Sequence, residues 1–125
     1  MPDGVPENVT GWAVSSQNID LYWDPPLLEL QNGFIVGYRV KVTETNTGYT
    51  FVISTPSTSH TFTSLHPYYT YSCAIAAMTV VGLGPFSAAI YITTFEDGKD
   101  NYLQINVRAI DKWVLGGVSI SSYTA

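Results

Sequence analysis

The sequence predicts an all-β sandwich of about seven short antiparallel strands. Short runs alternate apolar with polar residues, and Gly, Pro, Asn and Ser punctuate them at close intervals. No stretch sustains the 3.6-residue apolar period of an amphipathic helix. Hydrophobic residues make up 46% of the 125 and charged residues only 12%, so the chain can bury a core and is not disordered by composition.

The strands follow in order. "VTGWAV", residues 9–14, opens. "NIDLYW", residues 18–23, sets Ile19, Leu21 and Trp23 on one face with Asp20 and Tyr22 opposite. "DPP" ends that strand because proline has no N–H for a ladder. After the turn signal "QNG", "FIVGYRVKVTE" aligns Tyr38, Val40 and Val42 against Arg39 and Lys41. "NTG" turns the chain into "YTFVIS", which Pro56 breaks. "HTFTSL" puts His60 and Phe62 on one side, and "YSCAIAAM" does the same for Tyr71, Cys73, Ile75 and Ala77. "GLGP", residues 82–85, reads as a loop, and "AAIYITT" closes with Ile90 and Ile92 together.

Charge and cysteine content exclude several function classes. The net charge is −5, and the five basic residues (Arg39, Lys41, Lys99, Arg108, Lys112) are too scattered to track a phosphate backbone, so no nucleic acid is expected as a partner. One cysteine makes no internal disulfide, and no Cys or His spacing matches a zinc site. The opening "MPDGVPENVT" lacks the basic and apolar regions of a signal peptide. No apolar run nears the ~20 residues of a membrane span, so no membrane insertion by this segment is expected.

Five segments, taken in order, resemble the fibronectin type III domain. "PENVT" resembles its opening strand, and "NIDLYWDPP" its second strand with a core tryptophan, here Trp23. "NGFIVGYRVKV" resembles the third strand, with Ile35, Tyr38, Val40 and Val42 in the family's positions. "TFTSLHPYYTY" resembles the leucine, proline and tyrosine leading into the sixth strand, here Leu65, Pro67 and Tyr71. "AAMTVVGLGPFS" resembles the loop before the last strand, although Thr79 stands where the family often has asparagine. The resemblance covers about residues 6–95. It implies a seven-stranded immunoglobulin-like sandwich over residues 1–97, with Trp23, Tyr38, Leu65, Tyr71 and Cys73 in the core. It also implies that Tyr71 is a tyrosine corner, its hydroxyl bonded to upstream backbone.

The chemistry-bearing residues read mostly as structure. "SLHPYYTYSC", residues 64–73, sets His66 close to Cys73. Cys73 shares the face of Tyr71 and Ile75, however, and a buried free cysteine behaves as a small hydrophobe. No acid is evident to orient His66, so the two do not read as a catalytic pair. Asp20 and Asp24 flank Trp23 without converging. Glu96, Asp97 and Asp100 cluster around Gly98 but lack a calcium-loop pattern, so no metal or cofactor is expected. "NVT" at Asn8 is a glycosylation sequon, meaningful in a secreted protein.

The contact candidates are Val80, Val81, Leu83 and Phe86 in the "TVVGLGPF" loop, and His66, Tyr68 and Tyr69 before the sixth strand. Residues 98–125 lie beyond the resemblance. There "YLQINVRAI" alternates as a strand, and "KWVLGGVSISSY" is a possible hairpin partner or the start of another element.

The expected function is a non-catalytic protein-contact and spacer module of a multidomain cell-surface or extracellular adhesion or receptor protein. Its style resembles repeats of receptor-type tyrosine phosphatases and sidekick-like adhesion proteins. Partners would be other proteins and neighbouring domains of the same chain. One alternative is an accessory module of a secreted carbohydrate-active enzyme, for which Tyr22, Tyr49 and Tyr91 would form an aromatic row. The other is an intracellular filament module.

Overall fold

The computed structural model describes residues 1–96. Eight strands lie within them: β1 (Glu7–Ala13), β2 (Ile19–Asp24), β3 (Gly37–Glu44), β4 (Thr50–Thr55), β5 (Ser59–Phe62), β6 (Thr70–Met78), β7 (Leu83–Phe86) and β8 (Ile90–Thr93). A three-stranded sheet runs β1-β2-β5. The facing sheet runs β4-β3-β6-β7, with β8 also paired to β6. All pairings are antiparallel.

The alternation in the sequence places the core. Ile19, Leu21, Trp23 and Phe62 come from one inner face, and Tyr38, Val40, Val42, Cys73, Ile75, Ala77 and Ile92 from the other. Trp23 packs edge-on to Tyr38, centroids 5.7 Å apart. That geometry sets a positive ring edge against a negative ring face. All five residues expected in the core, Leu65 and Tyr71 included, are buried. Trp23 Nε1 is buried with no hydrogen-bond partner, so packing of the ring outweighs one orphaned donor.

Two details depart from the sequence reading. The expected last strand, "AAIYITT", contains β8, and an additional strand, β7, precedes it, both on β6. "GLGP" is correspondingly not a loop, because Leu83 to Phe86 form β7. Between the two strands the Ser87 hydroxyl accepts from the Ile75 N–H at 3.1 Å, and the Ser87 N–H donates to the Ile75 carbonyl at 2.8 Å. A side-chain oxygen thus stands in for a ladder carbonyl, and the pairing is interrupted without stranding its neighbour. Pro85 is tolerated here because β7 is an edge strand.

The pairing registers fix which loops share an end. At the amino-terminal end lie residues 1–6, the β2–β3 connection (25–36), the β4–β5 turn (56–58) and the β6–β7 turn (79–82). At the opposite end lie the β1–β2 and β3–β4 turns, residues 63–69, and the exit after Thr93.

Candidate contact surfaces at the two ends of the sandwich

At the amino-terminal end the β2–β3 connection is built from apolar side chains that the core does not take. After Pro25 and Pro26 stop β2, Leu28–Leu30 form a single 3-10 turn, braced by Gln31 Nε2 donating to the Pro26 carbonyl at 2.8 Å. The first residues of the chain dock against it. The Asp3 N–H donates to the Leu30 carbonyl at 2.8 Å, and Asn32 Nδ2 to the Met1 carbonyl at 3.1 Å. Val36 N–H donates to the Met78 carbonyl at 2.8 Å, which ties the connection to the end of β6. Pro2 lies so close to Gly84 that a Cβ there would sit 2.9 Å from Pro2 atoms, so β7 needs glycine at that point.

These ties bring two apolar loops together. Leu28 is 82% exposed, Phe34 92%, Val80 89% and Val81 73%, with Leu27, Val36 and Met1 also on the surface. Scattered exposed hydrophobics are ordinary, but this many on adjoining loops at one end form a patch. The expected contact residues Val80 and Val81 are part of it. Leu83 and Phe86 are not at its tip, because both lie in β7 and are half-buried. Lys41 Nζ sits 4.7 Å over the Phe86 ring, covering that face with a cation. The sequence reading missed Leu28 and Phe34. The available signal was that "LLEL" and "GF" are apolar yet fall between proline and glycine turn residues, outside any strand.

The opposite end is polar and tightly bonded. Tyr71 is fully buried, and its Oη accepts from the His66 N–H at 2.8 Å. The corner expected of Tyr71 is therefore present. Burial, ahead of the nearby Glu44 charge, raises its phenol pKa above 10. Thr94, which the sequence reading left out, holds the same turn from the other side. Its Oγ1 donates to the His66 carbonyl at 2.7 Å and accepts from the Tyr69 N–H at 3.1 Å.

His66 itself is exposed. Its Nε2 lies 3.7 Å from the carboxylate of Glu44, a buried side chain that also accepts from Thr47 Oγ1 at 2.7 Å. An acid therefore does stand beside His66, contrary to the sequence reading, but it is Glu44 from β3. Cys73 faces the core, where burial pushes its thiol pKa up to about 12. A thiol so disposed stays protonated near neutral pH and is a poor nucleophile.

Of the three expected contact residues here, Tyr68 is exposed, with its backbone held at φ 57°. Tyr69 lies against the His66 ring in a tilted pair, centroids 4.8 Å apart, and packs against the core, so it is largely spoken for. The two candidate groups are at opposite ends of β6, whose nine residues span roughly 26 Å. They are two surfaces, not one site. Among the described residues no group of three or more His, Cys, Asp or Glu side chains converges as a metal site would. No helix among them is long and apolar enough to cross a membrane.

The model of the fibronectin type III domain matches residues 4–93. The chain belongs to the fibronectin type III family. This fibronectin type III domain is 36% identical over 116 residues to the human cell adhesion molecule DSCAM, covering 87% of the chain. It is 34% identical over 94 residues to human receptor-type tyrosine-protein phosphatase F, covering 75% of the chain. The chain spans only 6% and 5% of those proteins' lengths. Among solved structures, the FN5 domain of Drosophila Lar superposes with a TM-score of 0.62 at 31% identity, over 76% of this chain and 98% of that one. The third fibronectin type III domain of the human KIAA0343 protein gives a TM-score of 0.69 at 23% identity, over 79% and 87%, a likeness of fold alone. The fibronectin type III domain described here is thus homologous to repeats of adhesion molecules and receptor phosphatases.

Proposed function

We propose that this fibronectin type III domain is a non-catalytic contact and spacer module of a multidomain cell-surface or extracellular protein. On this reading its amino-terminal end abuts an adjoining module. One observation carries the proposal. The apolar side chains Leu28, Phe34, Val80 and Val81 are gathered at the end of the sandwich where the chain enters, while the other end is closed by hydrogen bonds. A covalent neighbour arriving there covers apolar surface at high effective concentration, which suits a modest interface. The great length of the similar proteins relative to this chain favours the same reading.

The alternative of a sugar-binding accessory module loses its motif. Tyr22 lies on the outer face of the three-stranded sheet, while Tyr49 and Tyr91 belong to opposite margins of the other sheet, so the three make no row.

Hydrogen exchange tests the proposal, comparing the 125-residue chain with the longer parent chain. Amides of residues 27–36 and 79–82 should be more protected in the parent, and Phe34→Ser with Val80→Ser should remove the difference. Equal exchange in the two chains would overturn the assignment.

A further inference from the structure

We propose that Asn8 carries an N-linked glycan whose first sugars lie on an aromatic platform made by Trp12 and Tyr22. The inference rests on the extracellular placement proposed above.

The sequon Asn8-Val9-Thr10 sits on a β-bulge. Glu7 pairs with Asp24 and Thr10 with Tyr22, so three steps along β1 match two along β2. Asn8 is the residue that absorbs the extra step, at φ 53°. Bulges re-aim side chains, and this one turns the Asn8 amide to the outer face of the sheet. There Nδ2 donates to Asp24 Oδ2 at 2.9 Å. An amide nitrogen has two hydrogens. The carboxylate fixes the side chain through one and leaves the other for substitution. Glycosylation joins Nδ2 to C1 of a lipid-pyrophosphate-linked oligosaccharide. The C1–O bond breaks, the lipid pyrophosphate leaves, Nδ2 loses one proton, and the hydrogen bond to Asp24 survives.

The neighbouring surface suits the sugar. Asp24 and Tyr22 are two residues apart on one strand face, roughly 7 Å, within reach of one sugar ring. Tyr22 stacks against Trp12 with centroids 5.2 Å apart and planes inclined by 28°, and the rings remain 43% and 49% exposed. The two rings cover part of each other by stacking, and the ring surface left exposed offers a negative π face to the polarised C–H bonds of a pyranose. Asp20 and Thr61, joined by a 2.8 Å hydrogen bond, border the pair with groups able to bond sugar hydroxyls. The core of a protein interface is depleted in charge. A rim of carboxylates and hydroxyls this close to the rings favours carbohydrate instead.

The test secretes the full chain from eukaryotic cells behind a cleavable signal peptide, so that it meets the glycosylation machinery wherever the natural chain resides. Intact mass should show one glycan, lost in Thr10→Ala, which keeps Asn8 and its bond to Asp24. Glycosylated chain should melt about 4 °C or more above the Thr10→Ala chain. Endoglycosidase should cut between the first two sugars several-fold faster in Trp12→Ser and Tyr22→Ser, and those variants should lose the melting difference. An unoccupied Asn8 overturns the site without touching the placement, which immunolocalisation of the natural protein tests separately. Occupancy with unchanged trimming rates and melting in both variants overturns the platform.

Discussion

Replacing Tyr71 by phenylalanine removes one oxygen from the largest fully buried side chain among the described residues and tests how the turn at residues 63–69 is held. The His66 N–H then loses its acceptor at 2.8 Å, while the ring stays packed. The bond is partly buried, so leaving this donor unpaired costs about 1 kcal/mol or somewhat more, at the lower part of the roughly 1–3 kcal/mol range for a buried group. For a domain of this size that corresponds to a Tm lowered by roughly 5 °C or somewhat more. Thr94→Val strips the other anchor of the same turn, freeing the His66 carbonyl and the Tyr69 N–H, and should cost a similar amount. Because both anchors grip one short segment, the double variant should fall short of the sum, with a coupling of about 0.5 kcal/mol or more. Urea unfolding of the four proteins supplies the cycle. A Tyr71→Phe chain within about 0.5 kcal/mol of the parent, or strict additivity, would falsify the account of the corner.

Other expectations follow from single features. Cys73→Ser should lower stability by about 1–3 kcal/mol, since the site offers a hydroxyl little but apolar neighbours; a neutral result in chemical denaturation would contradict its burial. The Cys73 pKa is raised from 9.0 to about 12, so its contribution is complete below pH 9 and lost as pH rises toward 12. Melting followed from pH 8 to 11 should therefore decline, and less steeply in Cys73→Ala. Tyr68 holds φ 57° without being glycine, so Tyr68→Asn should stabilise by about 0.5–1 kcal/mol, and a lower Tm would refute strain at that turn. Ending the chain at Glu96 should shift the Tm by less than about 2 °C. A larger drop would assign residues 97–125, which lie outside the described structure, a part in completing the sandwich.

Legibility differed between the fold and its surfaces for a physical reason. A strand buried on one face must alternate, so Ile19, Leu21 and Trp23, or Tyr38, Val40 and Val42, announce their burial in sequence. The corner was readable through the family resemblance, because Leu65, Pro67 and Tyr71 stand in the order that leads into the sixth strand. The break between β7 and β8 was not, since it depends on Ser87 capping the Ile75 ladder position, a contact with no sequence periodicity. Thr94 was missed for the same reason: its role exists only once β8 is laid beside residues 66–69.

The surfaces obey no such rule, and the two ends show why. The sequence separated His66, Tyr68 and Tyr69 from the buried Cys73 but showed no acid near His66, because that acid comes from β3, at Glu44. Apolar content alone pointed to Val80 and Val81. Their companions Leu28 and Phe34 lie about fifty residues upstream and join them only because β2 and β6 deliver both connections to one end. A loop residue released from alternation is not constrained by core packing, and under the proposed function its constraint is the neighbour it touches. The four exposed side chains at the amino-terminal end are therefore the part of this sequence that core packing does not explain, and the place where substitution should alter contact while leaving stability within about 0.5 kcal/mol.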